Sequence, residues 1–277
     1  MNLTAENYYS SEANKAYFSV SQVKAMLNCE ARAVAEMNGE YAQDKSSALL
    51  VGGYIDAYFS GEIDQFKAEN PEIFTRRGEL RADYAKAEEI IAKISSDPLA
   101  DAMLSGEKQM IVTGSIAGQP FKAKLDCYLN EELARAIGEA FPGMGNLLME
   151  HGAIVDLKVM KDFEPMYKPE EGRLSFIEYW GYDLQMAVYQ ELVRQRIGHQ
   201  LPCYILAASK QDPPDITLVQ IPQDVMDYHI ERLNRMLHGL AEVKEGVGTP
   251  YRCEKCAYCR KTKRLDAASI LGTEAYL

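Results

Sequence analysis

Two short stretches hold residues whose types and spacing could do chemistry. Asp126 closes Lys122-Ala123-Lys124-Leu125-Asp126, and Asp156-Leu157-Lys158 follows Ala153-Ile154-Val155. Side chains of an extended strand alternate between faces, so Asp156 and Lys158 share one face while Val155 and Leu157 share the other. A carboxylate and an ammonium on an otherwise apolar strand are costly to bury without partners or a metal ion. Phosphodiester hydrolysis uses such a set. Two carboxylates, Asp126 and Asp156, would hold Mg²⁺ or Mn²⁺, which acidifies a water and polarises the phosphoryl oxygen. A lysine beside the ion, Lys158, would orient or deprotonate that water and stabilise the charged transition state. The backbone carbonyl of Leu157 would complete the oxygen shell. Taken alone, Asp-x-Lys is a short motif that also suits an ion pair on an edge strand.

A second constellation lies near the C-terminus. Cys253, Cys256 and Cys259 are spaced too densely to close disulfides among themselves. Tetrahedral zinc or a 4Fe–4S cluster takes four ligands, so three thiols are one short. Arg252, Lys255, Arg260, Lys261, Lys263 and Arg264 surround them against one acid, Glu254. With Lys124, the cations Arg260, Lys261 and Lys263 are candidate DNA contacts, although such a run also suits a solvated tail. Cys127 and Cys203 fall in predicted strands and read as core thiols. His151, His199, His229 and His238 show no metal-ligand spacing and are assigned no role.

The elements that must position these groups are readable in outline. Helices are expected over residues 17–39, 46–60, 81–95, 98–105, 131–140, 175–197 and 224–245. Strands are expected over 108–113, 121–129, 153–159, 203–209 and 216–220, with a hairpin turn at Ala117-Gly118. Residues 62–77 read as a loop with a short helix, and 165–173 as a polar loop. Helices, then strands, a helix, two strands and a helix give a mixed α/β sheet under helical cover, not a strict βαβ alternation. One domain is expected over 1–277: a helical N-terminal region at about 17–105, a core at about 106–245 and a cysteine-rich segment at about 250–265.

Composition narrows the class. The chain has 277 residues, 47% of them hydrophobic, enough to bury a core without staples. A net charge of −11 argues against a general nucleic-acid coat. A carboxylate-rich metal site beside a local basic groove remains compatible with it. No apolar run reaches the ~18 residues of a membrane span. The first ten residues lack the charged-then-apolar order of a signal peptide, so a cytoplasmic location is expected. No dinucleotide fingerprint or phosphate loop is present.

From Ser19 to about Arg264 the chain resembles the PD-(D/E)XK nucleases of the RecB and RecE type, including phage-type recombination exonucleases. The carriers are Ser19-Val20-Ser21 leading to Cys29, then Val51-Gly52-Gly53-Tyr54-Ile55-Asp56, Lys124-Leu125-Asp126, Ile154-Val155-Asp156-Leu157-Lys158 and Tyr182-Asp183-Leu184-Gln185-Met186-Ala187-Val188-Tyr189. The resemblance implies a restriction-endonuclease-like core and a metal-dependent DNA exonuclease. It makes Asp126 and Asp156 metal ligands and Lys158 the catalytic lysine. Gln185 and Tyr189 would face the site from the following helix, although both also suit ordinary packing positions. Glu107 would support a second metal, or stand as an exposed strand-end acid. Cys29 would be the fourth ligand of a 4Fe–4S cluster, with zinc or free thiols as the alternatives. A single-strand annealing partner and a homo-oligomer also follow from the resemblance. Two features depart from it. Many relatives carry histidine where Asp56 stands, a carboxylate that could still reach the metal or its water, and residues 130–152 are longer than the usual link between the acidic strands. That insert, with Leu133, Ile137, Phe141, Leu147 and Leu148, is expected to form an extra helix. Trp180 reads as a packing residue. The rival reading is a non-catalytic DNA-binding module with a cysteine-rich structural clip; an Fe–S redox protein is a third.

Overall fold

The computed structural model describes residues 1–42, 47–144 and 151–265. Its N-terminal part is helical: α1 (Ser11–Ala16), α2 (Val20–Asn28), α3 (Glu30–Met37), α4 (Ser47–Phe59), α5 (Ile63–Glu69), α6 (Ala82–Ser96) and α7 (Pro98–Met103). Then come β1 (Glu107–Ile116), β2 (Gln119–Leu129), α8 (Glu131–Ala140), β3 (Ala153–Met160), β4 (Met166–Lys168) and β5 (Gly172–Leu174). The chain continues through α9 (Phe176–Trp180), α10 (Tyr182–Ile197), β6 (Cys203–Ser209), β7 (Ile216–Gln220), α11 (Gln223–Lys244) and α12 (Ala257–Thr262).

Five strands form one mixed sheet in the order β1-β2-β3-β6-β7. Among the described strands only β3 and β6 pair in parallel, and α9 and α10 form the crossover that parallel pairing requires. The β1–β2 turn places Ala117 and Gly118 at φ 49° and 76°, the doubly left-handed turn that suits twisted hairpins. Period-two alternation loads both faces of the sheet. Ile154, Ile205 and Ala207 pack with α2, α10 and α11 through Val23, Met186, Leu192 and Leu233. Val155, Leu157 and Leu206 pack on the other face with α4 and α6 through Tyr54, Ile55, Ile90 and Ile91. Cys127 and Cys203 are fully buried in these layers, as expected of core thiols.

Three expected elements are corrected. The helix expected over 17–39 is two helices, because Cys29 is extended (φ −168°, ψ 103°) and serves as the end of α2 and the start of α3. The helix expected over 175–197 is broken at Gly181, whose φ of 62° belongs to the left-handed region glycine tolerates. Ser175 and Glu178 cap α9 reciprocally, so the short helix has its own start. Residues 165–173, expected as a loop, include the β4–β5 hairpin. The insert between the acidic strands does carry a helix, α8, capped by the Asn130 side chain on Leu133 N. Ile137 buries beneath it, with Leu133 and Phe141 alongside. Leu147 and Leu148 lie outside the described residues.

Candidate active site and cysteine clip

β2 and β3 pair through Leu129↔Ala153, Tyr128↔Ile154 and Cys127↔Val155, and the ladder then stops. The strands fork at that point. Leu125 packs in the layer beneath α10, whereas Cys127, two residues on, packs in the opposite layer. Asp126 stands at the turnover. Its Oδ2 accepts a hydrogen bond from Leu157 N at 3.0 Å, so a carboxylate satisfies the first β3 amide beyond the fork. The N–H and C=O of an extended residue point the same way, so the Leu157 carbonyl opens into the same gap. Gly152 permits the approach that makes this short ladder: a Cβ there would meet Leu129 O at 2.2 Å.

Asp156 is completely buried and Lys158 one-fifth exposed, on the α10 face as alternation requires. The Lys158 ammonium forms an ion pair with Asp156 Oδ2, lies 3.9 Å from Asp126 Oδ2 and donates to Leu157 O at 3.4 Å. Gln185 Nε2 donates to Asp156 Oδ1 at 2.8 Å and to Tyr189 Oη at 3.1 Å. These two residues lie four apart on α10, hence on one helix face. Burial, and then the Asp126 charge against the opposing pull of Lys158, lifts the Asp156 carboxyl to about 7. Burial presses the Lys158 ammonium down, but Asp156 and Asp126 outweigh it and hold its pKa above the usual lysine value.

A third carboxylate comes from α4. Asp56 Oδ1 accepts from Gln109 Nε2 at 3.3 Å, and burial followed by the charge of Asp126 raises its pKa to about 6. Gln109 stands opposite Asp126, drops out of the β1–β2 ladder and takes a φ of 53°. Sequence reasoning missed it, since nothing in 107–110 marks a strand residue that reaches across to α4. Glu107 is exposed at the start of β1, opposite Tyr128, and makes no ion pair with Asp56, Asp126 or Asp156 among the described residues. Lys24 was also missed, and Tyr182, named in the resemblance, was given no role of its own. Lys24 and Lys158 each lie over the Tyr182 ring at 5.3 Å, and burial with the Lys158 charge lowers Lys24 to about 8. A cavity of about 360 Å³ opens beside these groups, lined by Tyr9, Ser21, Lys24, Lys124, Gln185 and Tyr189. Lys124 faces it over the Tyr9 ring at 5.1 Å.

The residues at the fork fit a hard divalent cation. Asp156 Oδ2 meets only the Lys158 ammonium among the described residues, and Asp126 and the Leu157 carbonyl supply further oxygens beside it. Carboxylate and carbonyl oxygens without sulfur or imidazole are the ligands of Mg²⁺ and Mn²⁺.

The four expected cysteines also converge. The sulfur atoms of Cys29, Cys253, Cys256 and Cys259 all lie within 4.8 Å of one another, an arrangement compatible with a metal site. Cys29 Sγ is 3.5 Å from Cys259 Sγ and 3.9 Å from Cys256 Sγ, and Cys253 Sγ is 4.0 Å from Cys259 Sγ. The break at Cys29 is what aims its thiol at the C-terminal segment. Ala31 N donates to Tyr251 O and Tyr251 N to Glu30 Oε2, fastening that segment to α3. Burial acts to raise the Cys253 thiol, but the Lys255 and Cys256 amides outweigh it and lower it to about 6. Arg260, Lys261 and Lys263 are exposed on or after α12 and meet none of the acids at the fork. Trp180, expected to pack, is instead 49% exposed. His229, assigned no role, pairs with Asp183 at 3.1 Å behind α10.

A model of a PDDEXK-like domain of unknown function matches residues 19–136 and 142–262. A crystal structure of a candidate exonuclease from Eubacterium rectale is similar over 96% of this chain and 95% of its own, at 42% identity and a TM-score of 0.84. No curated protein matches the chain. With the sheet, the forked strands and the match over most of its length, the chain belongs to the PDDEXK-like domain family.

Proposed function

We propose that this protein is a metal-dependent DNA exonuclease of the kind that serves phage-type recombination. The observation that supports it most is the fork: Asp126 on Leu157 N, buried Asp156 beside it, and Lys158 between the two carboxylates. Asp126, Asp156 and the Leu157 carbonyl would hold Mg²⁺ or Mn²⁺, with Asp56 adding charge behind Asp126. Glu107 is kept as a candidate only for a second ion. The bound ion would acidify the attacking water and polarise the phosphoryl oxygen. Lys158 places a positive charge where the phosphate gains negative charge, and hydrogen-bonds the water. Gln185 fixes the Asp156 carboxylate, and Tyr189 fixes Gln185. Lys24 and Lys124 draw the phosphate backbone toward the acids, and Arg260, Lys261 and Lys263 extend the basic surface.

Among the described residues no helix is long and apolar enough to cross a membrane; the cytoplasmic location is proposed from the sequence alone. A single-strand annealing partner and a homo-oligomer rest on the family resemblance alone. The cysteine clip is read as a metal site, and a 4Fe–4S cluster remains one occupant. The sulfur spacing supports zinc: Zn–S bonds of about 2.3 Å in a tetrahedron put sulfurs about 3.8 Å apart. A cubane, whose cysteines each bind a different iron, sets them farther apart. Absorption near 400 nm in anaerobically prepared protein identifies the cluster; colourless protein with one equivalent of zinc identifies the ion.

The exonuclease reading is tested with linear and covalently closed circular duplexes of one sequence in Mg²⁺ or Mn²⁺. Loss of the linear form with the circle intact is expected. Equal digestion of both would make the enzyme an endonuclease, and digestion of neither would remove the hydrolytic reading.

A further inference from the structure

Beyond the acids, on the far side of Tyr182 and Lys24, runs an open groove of about 1010 Å³. That volume is at the upper end of small-molecule sites, roughly 300–1,000 Å³, and suits an extended ligand. Tyr179, Trp180, Tyr182 and Tyr228 line it, and Trp180 and Tyr228 are 49% and 55% exposed. Large aromatic rings left half in water form a platform rather than a core. Lys24, Lys168 and Arg232 line the same groove. Lys168 sits over the Tyr179 ring at 5.5 Å, and Lys24 and Arg232 make no ion pair among the described residues.

The acids along the groove are mostly engaged. The Glu178 carboxylate accepts from Ser175 N and Oγ at the start of α9, Glu171 pairs with Lys168 at 3.0 Å, and Asp183 pairs with His229 at 3.1 Å. Asp224 remains, in the first turn of α11 where a helix favours an acid. Gly181 explains how the platform arises. Its left-handed turn ends α9, so Trp180 is thrown outward while Tyr182, two residues on, returns to the Lys158 ammonium. The groove and the acids therefore share Tyr182 and Lys24.

We propose that this groove binds single-stranded DNA leading to or from the acids, its bases stacking on Trp180 and Tyr228 and its phosphates meeting Lys24 and Arg232. Alternating aromatic and cationic side chains are how single strands are held without sequence preference, because every base has a stacking face. A rigid duplex buries its base faces and cannot use such rings. The inference rests on the nuclease reading for its substrate, but not on hydrolysis.

Trp180 is the only tryptophan, so its fluorescence reports this groove alone. The test titrates the full-length protein in EDTA with a labelled oligothymidylate, reading both tryptophan quenching and probe anisotropy. Saturable quenching is expected, with binding roughly five- to hundredfold weaker in Trp180→Ala and Tyr228→Ala, and largely retained in Trp180→Phe. Circular dichroism and melting of each variant separate loss of the platform from loss of fold. Binding that leaves Trp180 unquenched and is unchanged in both folded variants would overturn the proposal, as would absence of single-strand binding. A protein that binds and quenches but digests nothing with Mg²⁺ or Mn²⁺ would keep this inference and reject the hydrolytic one.

Discussion

Asp56→Asn is expected to stabilise the metal-free protein at alkaline pH, and the size follows from the site. Burial, then the charge of Asp126, raises the Asp56 carboxyl from 3.8 to about 6. Two pKa units correspond to about 3 kcal/mol of preference for the protonated form. Asp56 is partly exposed, so screening reduces this to about 1–2 kcal/mol. The sign runs with proton binding. Below about pH 4 the folded and unfolded chains both hold the proton, and wild type and variant should match. Between about pH 4 and 6 only the folded chain keeps it, so wild type loses stability as pH rises. Above pH 6 the full penalty is present, and asparagine escapes it while its Oδ1 still accepts from Gln109. Thermal unfolding in EDTA at pH 8 should therefore show the variant melting roughly 2–6 °C higher, with the gap closing near pH 4. Saturating Mn²⁺ should narrow or reverse the gap, because the lost carboxylate weakens the ion's hold. A variant that melts at or below wild type at pH 8 in EDTA would refute the electrostatic reading of the fork.

Two other outcomes are expected. Gln185→Leu removes the donor to Asp156 Oδ1 and frees Tyr189; activity should fall roughly 10- to 100-fold with the melting temperature little changed, measured by initial digestion rates. Cys29→Ser breaks the clip between α3 and the C-terminal segment; bound metal by elemental analysis should be lost, and limited proteolysis should cut near Arg252, where wild type resists.

Much of the site was legible because strand alternation is strict. Asp156 and Lys158 fall on one face by period two alone, and the five strands of the sheet are marked by apolar runs and turn residues. The cysteine spacing was legible for the same local reason. What escaped depended on backbone departures that local patterns do not mark. Cys29 breaks a run that reads as one helix, and without that break its thiol would not reach Cys259. Gly181 breaks another, and this exposes Trp180, which as the lone tryptophan looked like packing. Gln109 enters the site through an unusual φ in a strand, and Lys24 arrives from a helix more than a hundred residues before the acids. The hairpin over 166–174 has strands too short for alternation to register. The long insert before β3 leaves the meeting of Asp126 and Asp156 intact, because the ladder from Leu129 to Cys127 fixes the register before the fork.

The most direct measurement is digestion of linear duplex DNA in Mg²⁺ or Mn²⁺ by wild type, Asp156→Ala and Lys158→Ala, with DNA binding of all three followed in EDTA. The expected result is that wild type degrades the DNA while both variants bind it and leave it intact. Wild type that leaves the DNA whole, or either variant digesting at the wild-type rate, would contradict a hydrolytic centre at the Asp126–Asp156–Lys158 fork.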